Sequence, residues 1–119
     1  DLFGSTWNMM RKHISGFAFS DGETKDAMRK IYREKKYILD PHGAVGYLAW
    51  KAYQKLHPDT NGIILETAHP AKFLEDVETV LGHKIEIPQA LAEISQKEKV
   101  AIPMGTDYGT FKSWLVKFT

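Results

Sequence analysis

A chain of 119 residues, 43% hydrophobic, 26% charged and carrying a formal net charge of +1, is sized for one compact unit and holds enough apolar mass to build a core, which argues against wholesale disorder and against two ordinary domains. Its sixteen basic and fifteen acidic residues are interspersed, so no overall field draws it to nucleic acid or an anionic membrane. The absence of cysteine rules out disulfides, thiolate metal sites and a cysteine nucleophile, in keeping with an expected location in the cytoplasm.

Leu2 to Ser15 has weak helical character around Trp7, Met10, Arg11 and Ile14, and Gly16-Phe17-Ala18-Phe19 alternates as a short strand would. Ser20 followed by Glu23 has capping-box spacing. Ala27, Met28, Ile31 and Tyr32 then recur at helical intervals with Lys25, Arg29, Arg33 and Lys36 opposite, which predicts an amphipathic surface helix. Asp40-Pro41 opens a second helix, Asp being a favoured N-cap and Pro being tolerated at the first helical position. Ala44, Val45, Leu48, Ala49, Ala52, Tyr53 and Leu56 line one face of it, Tyr47 and Trp50 widen the apolar zone, and Gly43, Ala44, Gly46 and Ala49 let a neighbour's backbone approach closely. Such a helix is expected to be buried on more than one side.

Pro58 stops that helix, Asn61-Gly62 makes a turn, and Ile63-Ile64-Leu65 reads as a short interior strand. Thr67-Ala68-His69-Pro70 hands over to a third helix with Phe73, Leu74, Val77, Val80 and Leu81 as its buried face and Gly82 as its C-cap. A smaller helix follows Pro88, from Gln89 to about Gln96; Val100-Ala101-Ile102 is a third candidate strand; and Tyr108 to Phe118 reads as a last helix with Phe111, Trp114, Leu115 and Phe118. Helices alternating with a few short apolar strands predict α/β layering.

In open α/β sheets, ligands bind beyond the carboxyl ends of strands, where helix N-termini present unpaired N–H groups, and Thr67 to Lys72 occupies that place. There Thr67 offers a hydroxyl, His69 a group able to shuttle a proton, and Lys72 a positive charge. The plainer alternative is that Thr67 or His69 only caps the helix, Pro70 starts it and Lys72 is solvated. Asp40-Pro41-His42-Gly43 is a second helix start; as a metal site it lacks further ligands, and His13, His57 and His83 show no ligand spacing, so capping is expected and no metal. The basic residues Arg29, Lys30, Arg33, Lys35 and Lys36 are diluted by Glu23, Asp26 and Glu34, as on a solvated face. No glycine-rich phosphate loop and no Gly-x-Ser-x-Gly turn are present. No apolar run nears the roughly 18 residues of a membrane helix, and no signal-peptide pattern opens the chain.

The stretch Tyr37-Ile-Leu-Asp-Pro-His-Gly-Ala-Val-Gly-Tyr, followed about two dozen residues on by Glu66-Thr-Ala-His-Pro-Ala-Lys-Phe, resembles the C-terminal part of threonine synthases, and the likeness covers nearly the whole chain. The resemblance implies a piece of the larger domain of a fold type II, tryptophan-synthase β-like enzyme that uses pyridoxal 5'-phosphate (PLP) to convert O-phosphohomoserine and water to threonine and phosphate. It also implies that Thr67 binds the cofactor by meeting its pyridine nitrogen. A carboxylate there would hold that nitrogen protonated, whereas a neutral hydroxyl does not, so the ring withdraws fewer electrons and loss of a leaving group can compete. His69 and Lys72 match the motif without an assigned role, and Asp40 to Ala44 matches the family's acidic-Pro helix start, for which a structural role beneath the cofactor is expected.

Neither the family's Schiff-base lysine nor its phosphate cup has a counterpart here: thirteen lysines are present, none in the recognisable setting. Residues 1–119, opening on Asp1 rather than Met, are therefore expected to be a single domain or fragment that carries one wall of an active site, supplies no catalytic residue, partners the remainder of the enzyme chain, and is inactive alone. The rival expectation is a self-sufficient, non-catalytic module in which the second helix serves a partner protein; a nucleic-acid binder is disfavoured by the charge balance.

Overall fold

The computed structural model describes residues 3, 4 and 6–117. Its elements in chain order are α1 (Trp7–Arg11), α2 (Asp21–Lys35), α3 (Pro41–Leu56), a 3-10 turn (Pro70–Phe73), α4 (Leu74–Leu81), α5 (Gln89–Ser95) and α6 (Tyr108–Val116). The predicted first helix shrinks to the single turn and a half of α1, and Leu2 and Phe118, named in the first and last predicted helices, lie outside the described residues.

Local chemistry accounts for the ends of the central helices. At α2 the Ser20 N–H donates to Glu23 Oε2 at 2.8 Å and the Glu23 N–H donates to Ser20 Oγ at 3.4 Å, closing a capping box. At α3 the Asp40 side chain accepts from the His42 N–H at 2.8 Å with Pro41 at the first helical position. Gly82, in the left-handed region at φ 76°, ends α4 and donates its N–H to the Glu78 carbonyl at 2.8 Å.

One core joins these three helices. Ala27 and Met28 from α2, Leu39 from the connection, Ala44 from α3, and Val77 and Val80 from α4 are buried together, with Ile31, Ile38, Tyr47, Leu48, Phe73, Leu81 and Ile85 packed around them. Arg29 Nε adds a tie by donating to the Val80 carbonyl at 3.3 Å. The cluster rests on the expected helical periodicities of α2 and α4. Helix α3 departs from its expectation: Gly43 and Ala44 in its first turn are buried, most later apolar positions are half-buried, and Leu56 is exposed.

The short strands expected at Gly16–Phe19, Ile63–Leu65 and Val100–Ile102 do not form; among the described residues the structure is helical, without strands. A strand exists only when its N–H and C=O groups pair with a neighbouring strand, and no two of these segments pair with one another. The apolar side chains they carry stay largely uncovered, Ile63, Leu65 and Val100 among them. No helix among the described residues is long and apolar enough to cross a membrane.

Candidate functional site

Residues 62–66 run back along α3 over its stripe of small residues. The Trp50 ring stands where a side chain on Gly62 would have to go, Ile64 Cγ2 lies 3.2 Å from where a β-carbon on Gly46 would be, and the Glu66 carboxyl occupies the place of a β-carbon on Gly43. The small residues of α3, expected to admit a neighbour's backbone, are thus approached by the side chains of this segment. Gly43 has a defined purpose: any side chain there would collide with Glu66.

This path brings the chain to the N-terminal turn of α3, where three groups meet. Asp40 is 0% exposed; its Oδ1 accepts from the His42 N–H and faces His42 Nδ1 at 3.0 Å, while Oδ2, enclosed as well, meets no nitrogen or hydroxyl donor. The His42 ring in turn tilts against Phe73, with centroids 5.0 Å apart, and so links the start of α3 to the 3-10 turn. Glu66 is exposed as a residue, yet its carboxyl reaches in beside Asp40, and its pKa is raised to about 7, first by lost hydration, then by the side-chain hydrogen bond and negative charge of Asp40, with the Asp40 main-chain N–H opposing. Glu66 also lines an open groove of about 470 Å3 with Ile31, Lys35, Tyr37, Leu39, Tyr47 and Ile64.

Thr67 follows Glu66 directly and is exposed, so its hydroxyl is available from outside the packed segment. His69 has the plainer of its two expected roles: Nδ1 accepts from the Ala71 N–H at 3.1 Å and its carbonyl accepts from the Lys72 N–H at 2.9 Å, which caps the 3-10 turn. Lys72 is exposed. The turn at 67–72 and the Asp40 helix start, read separately from the sequence, are therefore neighbours, joined by Glu66 and by the His42–Phe73 contact. Among the described residues no group of three His, Asp or Glu side chains is arranged to hold a metal ion.

Glu66 is the residue that local reasoning passed over. It stands at the end of an apolar run, where a charge reads as solvated; the available signal was Gly43 and Gly46, one helical turn apart, marking a face that something must approach.

Residues 43–114 match the family model for the C-terminal region of threonine synthase. The chain is 38% identical over 98 residues to threonine synthase of Haemophilus influenzae, an alignment spanning 82% of this chain and 22% of that protein. It is 34% identical over 101 residues to threonine synthase of Escherichia coli, spanning 85% and 23% respectively. The crystal structure of the E. coli threonine synthase superposes with a TM-score of 0.75 at 30% identity, covering 94% of this chain and 27% of that one. The chain thus shares the fold of part of that enzyme and spans only about a quarter of the length of these relatives.

Proposed function

Since the chain belongs to the threonine synthase C-terminal family, as the match over residues 43–114 establishes, we propose that it forms one wall of a PLP site that turns O-phosphohomoserine and water into threonine and phosphate, within a fold type II enzyme. The observation that carries this reading is the exposed Thr67, presented at the end of a segment packed onto α3. A neutral hydroxyl can both donate and accept, so it suits a ring nitrogen that is to remain unprotonated. PLP, when bound, supplies the electron withdrawal that loosens bonds at the substrate's α-carbon. Thr67 orients the ring; Asp40 and His42 keep the turn beneath it in place through partly buried hydrogen bonds; His69 holds the shape of the turn and moves no proton. The Schiff-base lysine and the phosphate cup belong to the remainder of the enzyme, whose chain is the partner of this one, and residues 1–119 constitute one fragment of the larger domain.

Phosphate release from O-phosphohomoserine tests the proposal. In the complete enzyme Thr67→Ser keeps the rate within a few-fold, whereas Thr67→Val removes one hydrogen bond to the cofactor and lowers it by roughly 10- to 100-fold. The 119-residue chain alone releases none. An unchanged rate in T67V, or turnover by the chain alone with a borohydride-reduced PLP adduct on one of its own lysines, overturns it.

A further inference from the structure

We propose that Glu66 is a positioning residue: its carboxyl, holding a proton, donates to Asp40 Oδ2 and clamps residues 62–66 into the notch left by Gly43, which sets where Thr67 presents its hydroxyl. Two features of the geometry converge on this. Asp40 is wholly enclosed, and Oδ1 is already engaged by His42, which leaves Oδ2 as a buried acceptor with no other donor; such an atom is costly unless a donor reaches it. The Glu66 carboxyl, lodged at Gly43 in the helix turn that Asp40 opens, is the group beside it. The notch that admits that carboxyl exists only because residue 43 has no side chain. Two carboxyls this close share a proton more readily than both ionise.

The charged and titratable groups around Glu66 come from each packed element. Asp40, His42 and Tyr47 lie on α3 or at its start, Lys35 at the end of α2, Tyr37 on the connection, and His69 and Lys72 further along its own segment. The charge that acts on Glu66 is that of Asp40. The sign of the pH effect follows from the raised value. A carboxyl that binds its proton more tightly in the folded chain stabilises that fold fully below about pH 4.5, its ordinary value, and the contribution is lost as pH rises through about 7. Above that the two carboxylates repel and the clamp opens.

The functional consequence rests on the reading of Thr67 given above; the clamp itself does not. The test is hydrogen exchange by mass spectrometry on a peptide spanning residues 62–69, corrected for the intrinsic pH dependence of exchange, with PLP and substrate absent. In the unaltered protein protection falls by about tenfold or more between pH 5.5 and pH 8.5, the change expected of one or more pKa units. Glu66→Gln, whose amide donates at every pH, stays protected at both; Glu66→Ala is unprotected at both. As a second arm, Gly43→Ala lowers the melting temperature strongly when Glu66 is present and little in an E66G background, because the side chain it would meet is gone. Protection independent of pH in the unaltered protein, E66Q behaving as E66A, or equal effects of G43A in both backgrounds would each overturn the clamp. In the complete enzyme, E66Q keeps phosphate release and flattens its alkaline fall through pH 7 while E66A loses it; release insensitive to E66A overturns the positioning role. A failed reading of Thr67 shows up separately, as an unaffected T67V with the exchange results intact.

Discussion

Asp40 combines two duties that ordinarily fall to different residues. Its Oδ1 satisfies an orphan N–H of α3 and meets the His42 ring, while its buried Oδ2 is the acceptor to which the proposed clamp assigns the Glu66 carboxyl. Removing it strips the helix of its cap and leaves the Gly43 notch beside an unpaired carboxyl. Asp40→Ala is accordingly expected to cost about 1–2 kcal/mol of stability, read as a lower urea midpoint at constant slope; an unchanged midpoint would mean that the cap is dispensable. The capping half of this arrangement was legible, since Asp-Pro before a helical pattern carries its own stereochemical reason. So was the His69 cap. The carboxyl pair was not, because the partners are far apart in the chain and no spacing rule reaches between them.

At the scale of elements, α2 and α4 came out where periodicity and end signals placed them: the Ser20–Glu23 box opens one and Gly82 closes the other. Gly82 is in the left-handed region with nothing within 4 Å of a would-be β-carbon. Gly82→Ala should therefore cost about 1 kcal/mol from backbone strain alone, without any clash, measurable as a lowered melting temperature; a loss well above that would point to a contact that is not there. The third predicted helix starts as a 3-10 turn because Pro70 and the His69 cap tighten its first residues. The three short apolar runs failed as strands for a different reason. Composition marks a segment as suited to a sheet, but pairing requires a partner edge, and a run such as Ile63–Leu65 lies against α3 with Ile63 and Leu65 exposed.

The molecule as a whole is spread out. Its Cα radius of gyration is 19.6 Å with extents of 54 × 48 × 23 Å, where a compact chain of this length would measure about 13–14 Å. Among the described residues the buried core is confined to α2, α3, α4 and Leu39 between the first two, and Leu56, Ile63, Leu65, Val100 and Ile102 face outward. Apolar side chains displayed in this way call for a cover. On the proposed reading, sedimentation of the 119-residue chain should show association that rises with concentration, suppressed when the remaining segments of a threonine synthase are supplied; a monomer with a single cooperative melt would instead favour the self-sufficient module.

The starts of α2 and α3, the end of α4, the buried faces of α2 and α4, the absence of thiol chemistry and the two motifs that point to threonine synthase were readable along the chain, because caps, periodicity and each motif by itself depend on residues within a few positions of one another. Tertiary structure alone decided that the two motifs adjoin, that Glu66 rather than a backbone fills the glycine notch of α3, and that the strand-like runs remain unpaired. Those outcomes turn on which distant surfaces meet and which meet nothing, and proximity in space is a property of packing that no local pattern encodes.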